Sequence, residues 1–263
     1  MNKNYKLTFE ETFKNGLEGW EVLEESKVIK EQKKSNKETV LSFINNGEVQ
    51  FREETVIRYA KENVYVDDGK LLIKANEEED GFSGGSLKYT GRKFGKGLLE
   101  VEAKFPENMP GIWPKLFLHL TNYIALADVE FGQVKGLVDK GKNNFSMFAY
   151  FVDEFGVHQN EYLHSGFQRW PSFYPDMDND DKLSEGWHVF GYEQTDIDAI
   201  FYIDGDECFR VDIDHAIFRV FDAEGELGIS LCANHPELEA CDENTKFPCF
   251  MEVKSIKFYE EAK

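Results

Sequence analysis

The sequence has no run of 18 apolar residues, so no segment reads as a membrane-crossing helix. Its first residues, Met1-Asn-Lys-Asn-Tyr-Lys-Leu-Thr8, lack the apolar stretch of a signal peptide. The expectation from that start is a cytoplasmic chain, or one from which a targeting segment has been trimmed. No Cys-x-x-Cys pair occurs, which argues against a structural zinc site. Positive charge is scarce: 30 Lys and Arg stand against 50 Asp and Glu, a net charge of −20. Such a surface repels phosphates and anionic lipids, so neither nucleic acid nor membrane is an expected partner. A neutral ligand is. Internal repeats, low-complexity linkers and long amphipathic helical stretches are also absent.

What is present favours sheet. Aromatic residues make up 14% of the chain, with 23 Phe and 11 Tyr, and flat rings pack well on a pleated surface. Asn63–Ala75 alternates apolar and polar residues on both sides of Asp68-Gly69, a pair suited to the positive φ of a hairpin turn. Gly97–Phe105, Phe145–Val152, Trp187–Glu193, Ala199–Ile203 and Phe250–Tyr259 read as further strands, the last expected beside the N-terminal one. Many strands, short turns and no βαβ alternation predict one all-β sandwich or jelly roll over residues 1–263. The Glu/Lys-rich segment 21–40 reads as a solvated loop or edge insertion. Cys208, Cys232, Cys241 and Cys249 fit either buried free thiols or one loop disulfide among the last three.

Six segments, in order, resemble glycoside hydrolase family 16, and its laminarinase-like β-1,3-glucanases in particular. They are Asn45–Gln50 with Glu62–Ala75, Ser83–Lys88, Phe94–Pro106, Pro110-Gly-Ile-Trp-Pro114, Gly186–Glu193 with Phe201–Gly205, and Met251–Tyr259. The likeness spans roughly residues 7–260. It implies a concanavalin A-like jelly roll of two curved antiparallel sheets, with a sugar cleft on the concave face. It also implies an extracellular or cell-surface protein that takes a neutral polysaccharide or oligosaccharide, β-1,3 or mixed-linkage glucan. The chemistry it implies is retaining hydrolysis, in which a nucleophilic carboxylate and a carboxylic acid stand about 5–5.5 Å apart.

The family writes its catalytic strand E-x-D-x-x-E, or E-x-D-x-E in a shorter form. This chain has Ala125-Leu-Ala-Asp-Val-Glu130, and three registers fit. Ala125 and Ala127 stand at the nucleophile and middle-Asp positions in the first, with Glu130 as acid/base. The second uses Leu126, Asp128 and Glu130. The third uses Asp128, Glu130 and Gln133, with an amide in the acid/base place. None holds all three acids, and neither an alanine nor an amide does the missing work. Glu130 and Asp128 are therefore the catalytic candidates, either in a feeble hydrolase or as remnants in a non-catalytic glycan-binding protein. Restoring acids at 125 and 127 regenerates the full motif, so the site is one lost by decay or removed by design.

Other positions depart as well. The family's Trp-Pro-Ala-x-Trp is Trp113-Pro-Lys-Leu-Phe117, with a lysine intruding. Lys254 stands where many members place an Asp for a structural calcium, and a protonated lysine ligates no cation. No cofactor or metal is expected, with calcium doubtful. Sugar rings stack on aromatic faces ringed by polar groups; the resemblance implies that Trp113 lines the cleft, and Trp170 and Phe117, with Gln133, are the further candidates. Trp20 and Trp187 read as core, His188 as a structural strand residue, and Asp176, Asp178, Asp180 and Asp181 as a solvated acidic loop.

Overall fold

The computed structural model describes residues 4–30, 54–121, 125–134, 146–152, 158–159, 183–213, 221–235 and 238–262. Its strands are β1 (Tyr5–Glu11), β2 (Trp20–Val22), β3 (Glu25–Lys30), β4 (Glu54–Tyr59), β5 (Val64–Asp67) and β6 (Lys70–Glu78). There follow β7 (Gly81–Ser83), β8 (Gly85–Tyr89), β9 (Gly97–Lys104), β10 (Ile112–Thr121), β11 (Ala125–Gln133) and β12 (Ser146–Val152). The last are β13 (His158–Gln159), β14 (His188–Gln194), β15 (Asp198–Ile203), β16 (Asp206–Asp212), β17 (Gly225–Ala233) and β18 (Cys249–Glu261).

Two antiparallel sheets carry the fold. The first runs β16-β15-β14-β9-β18-β6-β5, with β1 added on β18 and β7 on β6. The second runs β13-β12-β11-β10-β17-β8-β2. Their alternation explains the packing, because in a strand every second side chain shares a face. From β6 and β9, Leu71, Ile73, Leu99, Val101 and Ala103 point inward; from β10 and β17, Leu116, Leu118, Leu227 and Ile229 meet them in one core. This is the expected jelly-roll sandwich. The hairpin turns stand where the sequence places them: Asp68 (φ 47°) and Gly69 (φ 68°) join β5 to β6, and Asp204 (φ 53°) and Gly205 (φ 86°) join β15 to β16. β18 lies between β9 and β6 and also pairs with β1, as expected of the closing strand.

Within segment 21–40 only 21–30 are described: β2 continues the second sheet at its edge, and β3 pairs with β4 in a two-stranded sheet of its own. The hairpin is stitched to the sandwich through Gly84, whose N–H donates to Arg58 and whose carbonyl accepts from Ala60. One expectation needs correction: Trp187 is not core. It precedes β14 on the outward face of the first sheet and is 36% exposed, whereas Trp20 is buried as expected. All four cysteines are free thiols, Cys208, Cys232 and Cys249 being buried. Among the described residues no helix is long and apolar enough to cross a membrane.

Candidate functional site

The outward face of the second sheet collects the polar side chains that the core excludes. On β10, Ile112, Leu116, Leu118 and Leu120 are buried inward, so Trp113, Lys115, Phe117 and His119 line the opposite face. On β17 the cross-strand partners of those four are Cys232, Ser230, Gly228 and Glu226. Gly228 matters for its missing side chain, because a Cβ there runs into the Phe117 ring. Glycine is what lets that ring lie on the sheet.

Strand β11 supplies the acids, and its register is broken. Leu116 pairs with Gly132 and Phe117 with Glu130, so Phe131 is an extra residue, a β-bulge. Val129 and Phe131 are buried in the core. Gly132 is also turned inward, and a Cβ on it lies 2.9 Å from Leu116 Cδ1 and 3.0 Å from Phe190. The bulge therefore brings Gln133, instead of Gly132, onto the face of Glu130. His119 pairs with Asp128, and Leu118 with Val129. The outward positions are thus 128, 130 and 133.

Ala127 pairs with Leu120, a core residue. Of the three registers that fit the sequence, the first needs Ala125 and Ala127 on the face of Glu130. The third, through Asp128, Glu130 and Gln133, has the spacing that the bulge produces.

The polar groups are tightly engaged. Glu130 is buried; its Oε1 accepts from Lys115 Nζ at 3.1 Å and its Oε2 from Gln133 Nε2 at 2.7 Å. Gln133, also buried, accepts from Trp113 Nε1 at 2.8 Å. The Lys115 ammonium lies 4.9 Å over both Trp113 and Phe117. Burial pulls the Lys115 pKa down, but the charge and hydrogen bond of Glu130, backed by Asp128, carry it above its ordinary value. Asp128 Oδ1 is 2.7 Å from His119 Nδ1, and that bond raises the His119 pKa against the opposing effect of burial.

Trp113 does not present its ring to solvent. At 6% exposure it packs with Ile57, Cys232 and Leu238, flanked by Tyr59 and by the edge of His235. The β3–β4 hairpin covers this end of the face. Tyr59 is held by Cys232 and Ser230, and burial, then the Cys232 thiol, pushes its phenol pKa well up. Phe117 is the aromatic left half-buried on the face. Trp170 and Asp176, Asp178, Asp180 and Asp181 lie outside the described residues. Sequence reasoning missed His119, Tyr59, Glu226 and Ser230; the alternation Trp113, Lys115, Phe117, His119 is the signal that marks the first of these.

Where the resemblance suggests calcium, the residues do not fit it. Lys254 Nζ donates to Glu102 Oε1 at 2.7 Å, placing an ammonium against the carboxylate. Among the described residues no group of three or more His, Cys, Asp or Glu is arranged to hold a metal.

Neither a protein-family model nor a curated protein sequence matches the chain. Solved structures do. The laminarinase catalytic domain of Thermotoga maritima matches at 20% identity and TM-score 0.66, covering 99% of this chain and 100% of that one. The endo-β-1,3-glucanase of Pyrococcus furiosus matches at 18% identity and TM-score 0.66, covering 99% and 96%. A non-specific endo-β-1,3(4)-glucanase of family 16 matches at 18% identity and TM-score 0.62, covering 100% and 94%. The fold class is therefore the antiparallel jelly-roll β-sandwich. Within that class, the fold is that of the family 16 laminarinases and endo-β-glucanases.

Proposed function

We propose that this chain binds a neutral β-glucan, β-1,3 or mixed-linkage, on the outward face of its second sheet, and hydrolyses it feebly or not at all. Residues 1–263 act as one unit in this reading, outside the cell or at its surface. The observation that carries it is Gln133. Retaining hydrolysis needs a proton donor for the leaving oxygen, and at the bulge-shifted position the side chain is an amide. Its Nε2 is spent on Glu130 and its Oε1 on Trp113. Glu130 is a poor substitute, since a carboxylate that accepts from both an ammonium and an amide gives up no proton. Asp128, paired with His119, is one methylene shorter than the glutamate the family uses there.

The face still suits a sugar. Phe117 offers an aromatic surface, and Lys115, His119, Asp128, Ser230 and Glu226 surround it with donors and acceptors. The second reading is a hydrolase with a relocated pair, Asp128 and Glu130. It is favoured by their place two apart on one face of β11.

The test sets product release from laminarin and mixed-linkage glucan beside migration through gels containing the same polymers. Retarded migration without cleavage is the expected result. Cleavage that vanishes in Glu130→Gln sinks the binding reading in favour of the relocated pair. Unretarded migration with no cleavage sinks both.

A further inference from the structure

The opposite side of the sandwich carries an aromatic surface that the cleft reading does not use. On the first sheet, Leu71, Ile73, Val101, Ala103, Met251 and Val253 point into the core, so their strand neighbours face outward. Those neighbours form a row across the sheet. Tyr65 pairs with Leu72, Leu72 with Glu252, and Glu252 with Lys104. His188 pairs with Ala103, so one residue further Trp187 stands opposite Lys104. Tyr65 is 37% exposed and Trp187 36%, and they end a row crossing five strands. Four strand spacings separate them, roughly 19 Å from backbone to backbone.

Trp187 lies down on this surface. Lys70 is on β6, three strands from β14, yet its ammonium is 5.7 Å from the centre of the indole. Lys254, on the intervening β18, is 5.8 Å from it. The indole therefore leans over β9 toward β18, and the two lysine side chains reach over to meet it. Each ammonium is itself tied down: Lys70 to Glu252 at 2.6 Å and Lys254 to Glu102 at 2.7 Å, with Lys104 3.7 Å from Glu252. The indole is thus fixed in place by cations that are fixed by carboxylates. Such preorganisation saves the entropy of ordering a flexible ring on binding.

We propose that this face is a second glycan-binding surface, separate from the face carrying Glu130, and that it takes a chain of neutral polysaccharide across the row from Trp187 to Tyr65. The chemistry selects that occupant. Pyranose rings need an aromatic plane plus hydrogen-bond donors and acceptors, and here an indole and a phenol bracket three lysines and two glutamates. The charges are already paired with one another, so this strip is near neutral on a chain of net charge −20. A protein partner requires a continuous apolar centre, and isolated rings among ion pairs do not provide one.

Gels containing laminarin, mixed-linkage glucan or xylan, with sedimentation on insoluble β-1,3-glucan, test the proposal. Trp187→Ala lowers polymer binding about tenfold, the loss of one good contact, and Trp187→Phe retains most of the binding. Thermal melts matching the parent show that both variants fold. Retention that persists in Phe117→Ala but is lost in Trp187→Ala establishes the second surface, whatever the fate of the first. Retention lost in Phe117→Ala and unchanged in Trp187→Ala overturns it and leaves the cleft reading intact. Retention in no gel and on no insoluble glucan overturns both.

Discussion

Gln133 donates to Glu130 across 2.7 Å, although the two are three residues apart on one strand. In a regular strand such residues face opposite ways. The bulge at Phe131 turns the second of them over, so both lie on the outward face.

That geometry predicts the outcome of a substitution. A carboxyl at 133 still accepts from Trp113, and the neighbouring Glu130 raises its pKa by like-charge repulsion, which suits a general acid. Gln133→Glu combined with Asp128→Glu is expected to release reducing sugar from laminarin at least about a hundredfold faster than the parent, the low end of what a positioned acid contributes. Gln133→Glu alone should give less, because the shorter Asp128 stays on His119. Reducing-end assays on the three proteins decide it; a double variant as inert as the parent shows that the strand is not the catalytic one.

Acids restored at Ala125 and Ala127 are expected to fail. Position 127 pairs with Leu120, a fully buried residue, so a carboxylate there is expected to lose water without gaining a partner. Ala127→Asp should cost about 2–4 kcal/mol in urea unfolding and give no hydrolysis. Ala125→Glu with Ala127→Asp should be no more active. Strong activity in the pair shows that β11 sits in a different register.

The sandwich was legible because its strands are regular. Asp68-Gly69, the alternation through Gly97–Lys104 and the pattern of Phe250–Tyr259 each declare themselves within a few residues. The site was less legible for a physical reason. A bulge is a property of a strand and its partner together, and nothing in Asp128–Gln133 alone says that Phe131 goes unmatched by β10. With the bulge unseen, all three registers along Ala125–Gln133 stay open. Trp113 was named as a stacking face for sugar, and the hairpin that covers its ring comes from β4, 54 residues or more earlier in the chain. Trp187 was misread because its support comes from lysines on two other strands.

Lys115 and Glu130 stand or fall together. The ammonium is only 25% exposed and the carboxylate 7%, so removing one strands the other in a poorly hydrated site. Lys115→Met is expected to destabilise the protein by about 3 kcal/mol. Lys115→Met with Glu130→Gln removes the orphaned charge and should recover at least half of that loss. Urea unfolding of the two variants and of Glu130→Gln completes the cycle; a neutral Lys115→Met means that the pair is solvated in solution.

His119 predicts how stability changes with pH. Its hydrogen bond to Asp128 is the first cause of its raised pKa; Glu226 adds to the rise, while burial and Lys88 oppose it. A histidine whose folded pKa exceeds its unfolded value, about 6.5, stabilises fully below that value. The contribution fades as pH rises through the folded pKa. Side-chain exposure is 40% for His119 and 30% for Asp128, so solvent screens the pair and keeps the effect below about 1 kcal/mol. Thermal melts taken from about pH 5.5 to pH 8.5 should show the parent losing roughly 2 °C more than His119→Asn, with the difference opening above pH 6.5. Parallel curves for the two proteins throughout that range show that the imidazole gains nothing from Asp128 on folding.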